Sequence, residues 1–86
     1  MAVIEKKTWP ELFEKIKRGE KNVEVRLADF DLKHGDILVL KEWDQLRQRY
    51  TGRSMSKVVK QLHKIDITKF WDIEKIKKHG IYVIEI

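Results

Sequence analysis

The stretch Gly19-Glu20-Lys21-Asn22-Val23-Glu24-Val25-Arg26 decides how this chain is read. A helix-like segment ends at the glycine, and a strand-like segment begins at once. Side chains alternate across a strand, so Val23, Val25 and Leu27 fall on one face and Asn22, Glu24 and Arg26 on the other. An apolar row is thereby paired with a polar row of opposite charges, with Lys21 at its mouth. The pattern predicts a strand at 22–27, one face buried and the other turned toward a ligand.

Working outward, Thr8-Trp9-Pro10-Glu11 signals a helix start. Thr8 can cap an orphan amide, Glu11 can reach back, and proline suits a first turn that has no use for its missing N–H. Trp9, Leu12, Phe13 and Ile16 follow at i, i+3, i+4 and i+7, one helical face, which places Trp9 in the core. Lys15, Lys17 and Arg18 crowd the C-terminal end, where the dipole favours cations, and Gly19 supplies the left-handed stop. Residues 2–7 read as a short strand before this helix.

On the other side, residues 28–36 read as a loop closing in a Gly35-Asp36 turn. Ile37-Leu38-Val39-Leu40-Lys41-Glu42-Trp43 is a strand whose apolar start suits a central position. Asp44 to Gly52 is a polar connection, and Tyr50-Thr51-Gly52-Arg53 leads into a return strand through Met55 to about Ile65. Its alternation slips between Val58 and Val59, which predicts a bulge there. Ile67 to Gly80 reads as a short helix capped by Thr68, with Phe70, Ile73 and Ile76 as its stripe. Ile81 to Ile86 reads as a final strand tied into the sheet. The sum is an α+β fold: a small, partly closed mixed barrel of five to six strands, with one N-terminal and one short C-terminal helix.

With 86 residues the chain makes one domain, and 42% apolar residues are enough for one core despite 38% charged ones. No apolar run approaches the roughly 18 residues of a membrane span, no leader pattern stands at the start, and cysteine is absent. A cytoplasmic monomer is the expectation. The net charge of +5 draws the chain toward polyanions such as RNA. Solvated Lys and Glu, as in a thermophilic composition, would give the same basicity with no partner.

Three groups of residues could carry chemistry. In the Lys21, Glu24, Arg26 row, arginine is a planar donor fork for phosphate or a base edge, and glutamate accepts from an exocyclic amine. Lysine contacts phosphate, or acts as a base if burial lowers its pKa. The same row could be an exposed ion-pair ladder worth ~0.5 kcal/mol per pair. Arg47, Arg49 and Arg53 with Tyr50 make a basic hairpin holding one ring, suited to single-stranded RNA or simply solvated. Lys57, Lys60 and Lys64 recur along one segment as a solvated face or edge defence. Trp43 could border a cleft. His34, His63 and His79 lack metal-site spacing, so neither a metal nor a cofactor is expected.

Gly19, Lys21, Glu24 and Arg26, followed by Gly35-Asp36-Ile37-Leu38, resemble the pattern of the ASCH domain of the PUA-like superfamily. Trp9-Pro10-Glu11, Tyr50-Thr51-Gly52-Arg53 and Tyr82-Val83-Ile84-Glu85-Ile86 are similar to segments of short ASCH-like proteins of unknown function. The resemblance implies a PUA-like β-barrel with a cleft over the Lys-Glu-Arg strand. It also implies a non-catalytic RNA-binding role, with a nucleotide on Lys21, Glu24 and Arg26 and the backbone on the 47–53 hairpin. The alternative it implies is a small amidohydrolase acting on a modified nucleoside such as N4-acetylcytidine. Lys21 would then be base or nucleophile, and Glu24 or Glu74 the acid or orienting group. That branch of the family carries a threonine three residues after its lysine, where this chain has Glu24. A protein-interaction module, marked by an exposed apolar patch, is a third possibility.

Overall fold

The apolar run Ile37-Leu38-Val39-Leu40 opens the middle strand of a three-stranded sheet in the computed structural model, which describes residues 1–84. The strands are β1 (Val3–Thr8), β2 (Ile37–Asp44) and β3 (Arg49–Val58), in the order β1-β2-β3. β1 runs parallel to β2 with Val3 opposite Ile37 and Thr8 opposite Glu42. Parallel neighbours need a crossover, and α1 (Pro10–Lys17) supplies it. β3 returns antiparallel through residues 45–48, where Asp44 accepts from the amides of Leu46 and Arg47 and Gln48 takes φ 55.

Alternation sorts the sheet into two faces. Ile4, Lys6 and Thr8 of β1 stand opposite Leu38, Leu40 and Glu42 of β2, and Leu40 faces Met55 of β3. α1 lays Phe13 and Ile16 on this face, and with Leu38 and Leu40 they are the buried apolar residues among those described. Ile4, Met55 and Val59 pack around them. The sheet's other face carries Glu5, Lys7, Ile37, Val39, Lys41 and Trp43.

At the start of β2, the Asp36 carboxylate accepts from the amides of Ala2 and Lys33, both at 2.9 Å. Those two N–H groups, Ala2 first, hold its pKa below the ordinary 3.8. Gly35, at φ +89, turns the chain into this latch, and its amide donates to the Val59 carbonyl.

Several expectations fail. The sheet is open and three-stranded among the described residues, with no closed barrel of five to six strands. Residues 21–27 run without strand pairing, and Val25 and Leu27 stay 69% and 81% exposed. Their apolar row has no face to pack on, because the polar row bonds within itself and to β1. Thr8 is not a cap; it is the last residue of β1, buried, while Trp9 holds the N-cap position and is 53% exposed. Tyr50 to Arg53 belong to β3, and the bulge lies there rather than at Val58 and Val59. The expected helix after Ile67 splits into a 3-10 turn (Ile67–Lys69) capped by Asp66 and α2 (Ile73–His79) capped by Asp72, so two Asp side chains replace Thr68. Residues 81–84 form no strand, and Glu85 and Ile86 of the expected final strand lie outside the described residues.

Candidate functional site

Helix α1 ends in a turn that delivers the Lys-Glu-Arg segment. Gly19 takes φ +79; its amide donates to the Ile16 carbonyl and that of Glu20 to the Lys15 carbonyl, the paired bonds of a Schellman motif. The Lys21 amide donates to Lys15 as well, at 3.2 Å. The chain then passes beside the end of β1, and three charged side chains gather. The Lys21 ammonium donates to Glu24 Oε1 at 2.7 Å and to the Val23 carbonyl. Arg26 Nε donates to Glu24 Oε2 at 2.9 Å. Arg26 Nη2 reaches the Lys7 carbonyl at 2.9 Å and the Thr8 hydroxyl at 3.2 Å. Glu24 thus sits between two cations, and all three side chains keep between 23% and 30% of their surface in water.

Beside this cluster lies an open groove of about 590 Å³. Glu24, Asp29 and Asp31 line it with carboxylates, Arg26 and Lys64 with cations, and Phe30, Leu38 and Leu62 are among its apolar residues. The Lys6 ammonium stands 3.6 Å over the Phe30 ring. The cluster therefore presents carboxylate and guanidinium edges next to an aromatic and aliphatic wall. Such a mixture suits a flat, polar-edged ring.

A second ionic cluster, which periodicity did not reveal, sits on the α1 face of the sheet. Between Lys41 and Trp43, only Glu42 stands opposite the three residues Thr51, Gly52 and Arg53. Gly52, at φ +95, allows the bulge. Thr51 and Arg53, two residues apart on one strand, thereby meet the same carboxylate. Arg53 donates to Glu42 through Nε at 3.0 Å and Nη2 at 2.9 Å, and the Thr51 hydroxyl donates to Glu42 Oε1. Arg53 Nη2 also bonds Glu14 of α1, and the guanidinium lies 4.8 Å over the Phe13 ring. The Glu42 side chain is only 6% exposed. Hydrogen bonding from Arg53, opposed by desolvation and helped by Thr51, holds the Glu42 pKa below 4.5. Glu14 is lowered by the same guanidinium, whose own pKa the two carboxylates raise.

The predicted basic hairpin is thus divided. Arg53 is engaged by two carboxylates. Arg47 is largely exposed and 3.7 Å from Asp44, and Arg49 is exposed at the start of β3. Tyr50 lies against Trp43 on the opposite face. Glu74 is exposed in the first turn of α2, and no hydrogen bond or ion pair links it to Lys21 among the described residues. No group of His, Asp and Glu among them could hold a metal ion. Among the described residues, no helix is long and apolar enough to cross a membrane.

These features define a small α+β domain with an open mixed sheet, a helix on one face and an ionic cluster beside a groove. A family model described as a domain of unknown function (DUF3850) matches residues 3–76, and the chain belongs to that family. No curated protein and no solved structure matches it.

Proposed function

We propose that this domain is a non-catalytic RNA-binding module that takes a nucleotide in the groove beside Lys21, Glu24 and Arg26. The observation that carries the reading is the gathering of these three side chains at one place, with Glu24 and Arg26 lining an open groove of about 590 Å³. Glu24 would accept from an exocyclic amine, Arg26 would donate to a base edge or phosphate, and Lys21 would face the backbone. Arg47 and Arg49, both exposed, would follow the phosphates. The net charge of +5 and the resemblance to ASCH domains support the same reading. A cytoplasmic, monomeric protein is part of it.

Arg26→Ala should weaken binding of single-stranded RNA about tenfold, the value of one charge-assisted hydrogen bond. Affinity should also fall steeply as salt rises. Fluorescence anisotropy across a salt series checks both. An affinity indifferent to salt and to the substitution would overturn the proposal. The hydrolytic alternative is less favoured, because Glu24 stands where that branch of the resembled family has its threonine and Glu74 is not brought to Lys21.

A further inference from the structure

The sheet face turned away from α1 carries an arrangement that the groove does not use. Trp43 and Tyr50 stand opposite each other in the β2–β3 ladder. Their rings meet edge to face, with centroids 4.9 Å apart. Two lysines stand over the rings: Lys7 is 3.8 Å from the Trp43 centroid, and Lys41 is 4.6 Å from that of Tyr50. Glu5, 3.6 Å from Lys41, is the acid beside them. Tyr50 is 46% exposed and Lys7 is exposed, so this is a wet surface rather than a second core.

We infer that this face is a stacking platform for an unpaired base of single-stranded RNA, separate from the groove. A buried ring pair would need no cations above it. A Tyr50 ring left in water beside the half-buried Trp43, with ammonium groups resting on both, offers a partner for each half of a nucleotide, the flat base and the anionic phosphate. A base arriving on Tyr50 displaces Lys41 from the ring, and the freed ammonium meets the adjoining phosphate together with Lys7.

Arg26 of the groove is joined to the platform through one residue. The Lys7 carbonyl accepts from Arg26, while the Lys7 ammonium stands over Trp43. A strand of RNA passing around the β1 edge could touch both. The inference rests on RNA being the partner, as proposed above, but it names different residues and can fail alone.

The test is anisotropy with a fluorescein-labelled single-stranded RNA of about twelve mixed-sequence nucleotides, within the span one such domain covers. Tyr50→Leu should weaken binding about tenfold, whereas Tyr50→Phe, which keeps the ring, should bind as the parent does. Trp9→Phe with Trp71→Phe leaves Trp43 as the single indole, and its emission should be quenched on saturation with RNA. A duplex of the same length should compete poorly, since its bases are already stacked. Parental affinity in Tyr50→Leu, unchanged Trp43 emission, or equal competition by duplex would each overturn the platform. If Tyr50→Leu binds normally while Arg26→Ala does not, the groove stands without the platform. The opposite pattern leaves the platform without the groove, and a parent chain that binds no RNA overturns both.

Discussion

Glu42 shows how much one side chain can depend on another in a domain with so few buried groups. It stands on the core face of the middle strand, where Leu38 and Leu40 precede it at the same alternation. A carboxylate in that row keeps its charge only because Arg53 donates two bonds and Thr51 a third. Among the described residues, no buried side-chain nitrogen or oxygen lacks a partner. Arg53→Leu strips the carboxylate of its cation while leaving it in place, which costs more than the pair contributes. Arg53→Lys should fall between, because an ammonium cannot reproduce the Nε and Nη2 fork. The double change Glu42→Leu with Arg53→Leu should recover much of the loss, since an apolar pair suits a row that begins with leucines. Thermal unfolding of the two single variants and the double one measures the coupling. Simple additivity would show that Glu42 and Arg53 are independent of each other.

At the scale of elements, the α1 terminus joins fold to site. Gly19→Ala puts a side chain at φ +79, where nothing lies within 4 Å of the added Cβ, so the cost is conformational alone. It should come to about 1–2 kcal/mol, read from the urea midpoint. An unshifted midpoint would mean that the chain leaves α1 without a left-handed residue. This stop was legible in the sequence, as were α1 and β2, because their signals are local: an i, i+3, i+4, i+7 stripe, a glycine, an apolar run. Alternation predicts a strand at 22–27 and none forms, for a reason of principle. Alternation says what a segment could bury, not whether an edge and a face await it. Here Arg26 takes the Lys7 carbonyl with a side chain, and Val25 and Leu27 remain in water. The Lys21, Glu24, Arg26 cluster was still legible, because all three lie within six residues. The Glu42–Arg53 cluster was not, since it depends on a strand register and a bulge that no single stretch announces. The Trp43–Tyr50 pair was hidden for the same reason, spanning a hairpin turn tighter than the polar composition of residues 44–52 suggested.

Over the whole molecule, structure is concentrated in the sheet and α1. The radius of gyration is 14.6 Å, above the roughly 12 Å of a fully compact chain of this length. The 3-10 turn and α2 bury no residue, and Phe70, Trp71 and Ile73 remain more than half exposed. With a core this limited, the carboxylates that tie its edges weigh heavily. Asp36 latches the start of the chain to the turn before β2, and Glu42 with Glu14 ties β2, β3 and α1 together at the other end. All three have pKa values lowered on folding, from 3.8 for Asp36 and 4.5 for the glutamates. As pH falls through those ordinary values, the unfolded chain takes up protons first. The stabilisation is therefore fully present above them and is lost as pH drops through the lower folded-state values. The urea midpoint should be flat from neutrality to about pH 5 and then fall progressively toward pH 3. Asp36→Asn and Glu42→Gln should each lower the neutral plateau and flatten the acid limb, because each removes one of the titrating groups. A parent midpoint unchanged down to pH 3, or variants that keep its full acid dependence, would show that these carboxylates do not carry the acid sensitivity of the fold.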